Sequence, residues 1–100
     1  MSNFVTRVEL HGANEADYRL LHIAMRARGF MNYIQADDGS FYDLPTAMYV
    51  SSSPTLSTMQ VRDIALQAAA LTGRAAWALT TKYEEAAWQT RKTSSLKLAI

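Results

Sequence analysis

The chain has 100 residues, 49% of them hydrophobic and 19% charged, with ten Lys+Arg against nine Asp+Glu and a formal net charge of +1. This length suits one domain of the usual ~100–150 residues, and the composition excludes a disordered tail or a collagen-like repeat. The absence of cysteine excludes disulfide frameworks, thiolate metal sites and cysteine nucleophiles, and the balanced charge leaves nucleic-acid binding to a local patch.

No apolar run approaches the ~18 residues of a membrane span. Met1-Ser2-Asn3-Phe4 has neither a basic n-region nor an apolar h-region, so no signal peptide, no membrane partner and a cytoplasmic location are expected.

Phe4 to His11 alternates, with Phe4, Thr6, Val8 and Leu10 on one face and Arg7, Glu9 and His11 on the other; this predicts a half-buried strand. Gly12-Ala13 breaks it. Asn14 can cap the helix that follows, with Glu15 and Asp17 favourable at its positive end. From Glu15 to about Arg28 the period changes, and Ala16, Leu20, Ile23, Ala24 and Ala27 form an apolar stripe that Gly29 ends.

Phe30 to Ala36 predicts a second strand with Phe30, Ile34 and Ala36 inward and Met31, Tyr33 and Gln35 outward. Asp37-Asp38-Gly39-Ser40 is a turn, Phe41 to Leu44 a short return strand, and Ala47 to Ser51 the next strand. Ser57 and Gln60 stand in capping-box relation, flanked by the Leu56 and Val61 staple. Val61, Ile64, Ala65, Ala68 and Leu71 give a second helix that Gly73 closes. Ala75 to Thr81 predicts the last strand, Tyr83 to Gln89 a short helix, and Thr90 to Ile100 a mobile basic tail.

The order β-α-β-β-α-β predicts an α+β, ferredoxin-like fold: one four-stranded antiparallel sheet with both helices on one face. The domain runs over residues 1–82, with a C-terminal extension over 83–100. Leu20, Ile23, Ile34, Val50, Ile64 and Leu71 are its expected core.

The motifs of phosphate loops, dinucleotide folds and nucleophile-elbow hydrolases are missing. His11 and His22 lack metal-ligand spacing, and Asp37, Asp38 and Asp43 are read as a solvated turn, so neither metal nor cofactor is expected. On the first helix Arg19, His22 and Arg26 share one stripe, taken as lying opposite the apolar face. Arginine forks bind phosphate and histidine moves a proton near neutral pH, as RNA cleavage through the 2′-hydroxyl requires; an ordinary solvated helix face carries the same residue types. A second surface is the open sheet face, where Arg7 and His11 would meet Tyr49 and Tyr33 and hold single-stranded RNA. The same face, with Met31 and Trp77, can instead bury against a second copy. A homodimer through the sheet face or an edge is expected, against a monomer whose segment from Tyr83 to Trp88 folds over the sheet.

The opening strand FVTRVEL, the helix end R-A-R-G-F, the turn A-D-D-G, the strand M-Y-V-S-S and the entry Leu56-Ser57 together resemble the GhoS-type endoribonuclease antitoxins of type V toxin–antitoxin systems, over about Phe4 to Thr81. The resemblance implies a ferredoxin-like fold related to CRISPR-associated spacer-acquisition nucleases. It also implies cleavage of a single-stranded messenger RNA, that of a small membrane toxin. It places the family's functional helix position at His22, where this chain has histidine in place of arginine, with Arg19 and Arg26 within one turn. Glu9 matches the acidic residue that ends the family's first strand. His22 and Arg26 are therefore the expected catalytic pair, and Arg19, Arg7, His11 and Tyr49 the expected RNA contacts. Duplex DNA is not an expected partner. The alternative is a non-catalytic RNA- or protein-binding module.

Overall fold

Phe4, Thr6, Val8 and Leu10 are all buried, so the period-two pattern builds strand β1 (Ser2–Leu10) as the sequence predicts. In the computed structural model, which describes residues 1–99, β1 is followed by α1 (Glu15–Arg26), β2 (Tyr33–Gln35), β3 (Phe41–Asp43), β4 (Met48–Ser53), α2 (Thr58–Ala70), β5 (Ala76–Tyr83) and α3 (Ser95–Ala99). The architecture is mixed α+β.

The single four-stranded sheet expected from the sequence does not form. β4, β1 and β5 make a three-stranded antiparallel sheet with β1 in the middle, and β2 pairs with β3 in a separate hairpin. The segment before β2 touches β4 through one bridge, with Met31 N–H donating to Val50 O at 2.9 Å and the reverse bond at 2.8 Å. The chain then leaves that edge because a nearby partner is available. Asp38 accepts from the Ser40 N–H at 2.8 Å, Gly39 turns with φ 90°, and Ala36 N–H donates to Ser40 O at 2.8 Å. Closing so short a loop costs little entropy.

Both helices start on capping boxes. Asn14 Oδ1 accepts from Asp17 N–H at 2.9 Å while Asp17 accepts from Asn14 N–H at 3.1 Å. Ser57 and Gln60 do the same for α2 at 3.1 and 2.8 Å. α1 ends where Gly29 takes φ 85°, with Gly29 N–H bonded to Arg26 O and Phe30 N–H to Met25 O, each at 3.0 Å. This is a Schellman termination, and buried Phe30 and Met25 are its apolar contact pair.

The buried stripe of α1 differs from the expected one. Leu21, Ala24 and Met25 are buried, whereas Leu20 is 51% and Ile23 68% exposed. α1 carries two apolar stripes, and the winning one includes Tyr18, whose hydroxyl accepts from the Leu10 N–H at 3.1 Å and ties the helix to β1. α2 buries Val61, Ala65, Ala68 and Ala69. Leu71, expected in the core, is 65% exposed at the helix C-cap. Ile34, Val50 and Ile64 are half-buried.

The C-terminal segment also departs from expectation. The predicted helix from Tyr83 to Gln89 is absent: Tyr83 ends β5 and residues 84–90 have no regular structure. Trp88 and Tyr83 close over Val5, Val50 and Ile34 around a cavity of about 380 Å³. The basic tail is docked rather than free. Arg91 O accepts from Asp43 N–H at 2.9 Å, and Thr93 N–H donates to Phe41 O at 2.8 Å, so the segment lines up beside β3. The Asp43 carboxylate holds it there: the Arg91 and Lys97 cations reach it at 3.4 and 2.9 Å and the Thr93 hydroxyl at 3.0 Å.

Candidate functional site

Arg19, His22 and Arg26 recur along one side of α1, and all three line a cleft of about 540 Å³ together with Ile23, Asn32 and Lys97. Its walls come from α1, the turn after Phe30, and α3. The stripe does not lie opposite the buried face, as the sequence reading placed it. His22 stands one turn from both Tyr18 and Met25 and is half-buried, so its ring forms part of the cleft floor. A shallower depression with Asn14, Tyr18 and Thr46 meets it on the other side of His22.

His22 Nδ1 lies 2.5 Å from the Tyr49 hydroxyl. Tyr49 is 1% exposed and stands opposite Thr6 in the register, on the helix-covered side of the sheet. Burial pushes the phenol well above its ordinary value, with Tyr18 adding to the effect, so the hydroxyl keeps its proton. No other group among the described residues bonds to that hydroxyl. Its proton is therefore directed at Nδ1, and the imidazole N–H sits on Nε2. The His22 ring is held below its ordinary 6.5, first by burial and then by the positive Lys97, which leaves it neutral at pH 7.

Arg26 donates to the Tyr33 hydroxyl at 3.0 Å, and its guanidinium carbon is 5.5 Å from the centre of that ring. Lys97 Nζ is 5.9 Å from the same ring centre and donates to Asn32 O at 3.3 Å. Its hydrogen bond is the main reason the Asp43 carboxyl is held below the usual carboxylate range; desolvation opposes it, and Thr93 and Arg91 assist. Arg19 is 70% exposed and stands 4.0 Å from the still more exposed Glu15, a pairing too solvated to occupy it. Chemically, the cleft offers planar and point-charge cations around a neutral imidazole, a set that suits a phosphodiester.

The remaining expected contacts are not part of this set. Arg7 and His11 lie on the opposite face of the sheet from Tyr49, because strand neighbours alternate faces and Tyr49 pairs with inward-facing Thr6. The expected grouping of Arg7, His11 and Tyr49 on one surface is thus incorrect. His11 instead meets Trp77 edge to face at 4.4 Å, and its buried Nε2 has no partner among the described residues. Tyr33, expected on the open face, packs edge to face on Phe41 at 5.5 Å. The sequence reading missed Lys97 and Asn32. The only signal for Lys97 was a basic segment without acids, which gives no direction in space. Among protein-family models, curated proteins and solved structures, none matches this chain.

Proposed function

We propose that this cleft binds the phosphates of single-stranded RNA and that the protein is a GhoS-like endoribonuclease antitoxin acting in the cytoplasm on the messenger RNA of a partner toxin. The observation that carries this is the convergence of Arg19 and Arg26 of α1 with Lys97 of α3, an element far away in sequence, around half-buried His22. The strand order β5-β1-β4 with Met31 bridged outside β4 supports a ferredoxin-like reading in which the second strand contributes a single bridge.

In such a reaction the ribose 2′-oxygen loses its proton and attacks phosphorus. The P–O5′ bond breaks, and the 5′-oxygen takes up a proton, leaving a cyclic phosphate. Arg26 and Lys97 would offset charge on the phosphorane, and Arg19 would hold a neighbouring phosphate. Neutral His22 would accept the 2′-proton at Nε2, which requires its proton to move to Nδ1 and the Tyr49 hydroxyl to turn and accept. Arg7 and His11, on the other face, take no part.

The Tyr49 bond also favours a second reading, a module that binds RNA without cutting it. With the hydroxyl donating to Nδ1, His22 presents Nε2–H as a donor to a phosphate oxygen. The deciding experiment incubates purified protein with labelled single-stranded RNA, with and without magnesium, with duplex DNA as competitor. Cleavage that is lost in His22→Ala and reduced in Arg26→Ala supports the nuclease. Salt-dependent binding without cleavage selects the module, and Arg26→Ala should then lower the salt slope by ~0.7. Absence of both binding and cleavage refutes the RNA reading.

A further inference from the structure

β5 forms one edge of the sheet, and among the described residues it pairs only with β1. The direction of its free hydrogen-bonding groups follows from one contact: His11 N–H donates to Ala75 O at 2.8 Å. Inward and outward bonding alternate along an antiparallel strand. Trp77, Leu79 and Thr81 therefore bond to β1, and Ala76, Ala78, Thr80 and Lys82 direct their N–H and C=O groups outward. This edge is eight residues long and has no proline or bulge to protect it. Trp77 is 68% and Leu79 65% exposed on one side of it, and Met59 is 64% exposed on the helix side, where it shares a groove with Leu79 and Thr80. A long apolar edge with unpaired backbone groups recruits a strand.

We propose that the occupant is a second copy of this chain, with β5 pairing antiparallel to β5 about a two-fold axis at Leu79 to give a continuous six-stranded sheet. The register follows from three constraints. A continuous sheet requires facing residues to lie on the same side, which puts the axis on a residue, and the residues near the middle of the strand are Ala78, Leu79 and Thr80. Only the Leu79 axis pairs all four outward-bonding residues with one another, Ala76 with Lys82 and Ala78 with Thr80. An axis at Ala78 sets Lys82 against Arg74, two like charges, and one at Thr80 leaves Ala76 opposite Glu84, outside the strand.

Charge favours self-pairing in the same register. Lys82 is the one charged residue of β5, and the two-fold places the two copies of it at opposite ends. Where the strands run out, Arg74 of one copy comes towards Glu84 of the other. On the open face Leu79 meets Leu79 and Trp77 lies across from Thr81, an aromatic and β-branched pair of the kind that stabilises antiparallel strands.

The chain has no cysteine of its own, so a single introduced cysteine reports the register. At the axis, Leu79 faces its own copy in a non-hydrogen-bonded pair about 4.5 Å apart at Cα, within disulfide range. Leu79→Cys, in a thiol redox buffer, is expected to become a covalent dimer, while Thr81→Cys stays largely without a cross-link because its facing residue is Trp77. Mixing Trp77→Cys with Thr81→Cys chains should restore cross-linking. Sedimentation of the unmodified chain over a concentration series should show a dimer, and Leu79→Lys, which sets two charges on the axis without touching the core, should sediment as a monomer with an unchanged far-UV circular dichroism spectrum. A wild type that stays monomeric at its highest soluble concentration overturns the proposal, as does a Leu79→Lys chain that still dimerises. Cross-linking of Thr81→Cys as fast as Leu79→Cys overturns the register.

Discussion

Replacing Tyr49 with phenylalanine isolates one hydrogen bond at the centre of the candidate site. The ring of Tyr49 is 1% exposed, and phenylalanine fills the same space, so packing is conserved. What is lost is the 2.5 Å contact to His22 Nδ1. A hydrogen bond of this kind contributes a net ~1 kcal/mol. Half-buried His22 recovers only part of that from water. For a chain of this size 1 kcal/mol corresponds to about 4–8 °C in melting temperature. The second readout is the His22 titration, followed by NMR of the ring protons. A donating hydroxyl favours the neutral ring, so Tyr49→Phe should move the His22 pKa up towards its ordinary 6.5. A downward move would mean that His22 donates and Tyr49 accepts. That result would refute the proton placement on which the site's chemistry rests, and an unchanged melting temperature would show that the bond adds no net stability.

The buried stripe of α1 is tested by urea unfolding: Leu21→Ala or Met25→Ala should cost about 2–5 kcal/mol, and Leu20→Ala or Ile23→Ala about 0.5 kcal/mol or less. Asp43→Asn removes the negative charge shared by Arg91 and Lys97, and hydrogen exchange should then speed up at the amides of Thr93 and residue 43 while the β1 amides stay protected. Because the folded protein holds His22 below 6.5, the unfolded chain binds the extra proton first; stability should fall as pH drops from about 6.5 towards the folded value, and His22→Gln should flatten that slope. Asp43 acts lower: its contribution is present above its ordinary 3.8 and is lost as pH falls through its depressed folded value, visible in the same melts as a second decline that Asp43→Asn abolishes.

Where local chemistry decided the outcome, the sequence was sufficient. Asn14 and Ser57 cap the helices they were expected to cap, Gly29 and Gly73 follow the helix ends with positive φ, and Phe4 to Leu10 buries the expected face. Where two solutions were nearly equal in local terms, it was not. α1 has an Ile/Leu stripe and a Leu/Met stripe, and only the fit to β1 through Tyr18 chooses between them. In β4, Val50 was expected in the core and Tyr49 on the open face, yet Tyr49 is buried with its hydroxyl on His22 and Val50 is only half-buried. That same contact places His22 in the cleft floor rather than on a solvated stripe. Lys97 was illegible for another reason: its position depends on Asp43, fifty-four residues earlier, and no periodicity encodes such a pairing.

β1 is the middle strand of the sheet and precedes both of its partners, β4 and β5, in the chain, so Asn3 finds Ser52 on one side and Tyr83 on the other. The helices can begin to coil on their own capping boxes, but among the described residues near β1 in sequence only the Tyr18 hydroxyl, on the Leu10 N–H, bonds to its backbone. The sheet must wait for loops spanning most of the chain to close, which places this protein among slow-folding topologies despite its size. Until β5 arrives, Phe4, Val8 and Leu10 lack much of their cover, so the interval before that encounter is when the newly made chain is most exposed to aggregation and proteolysis.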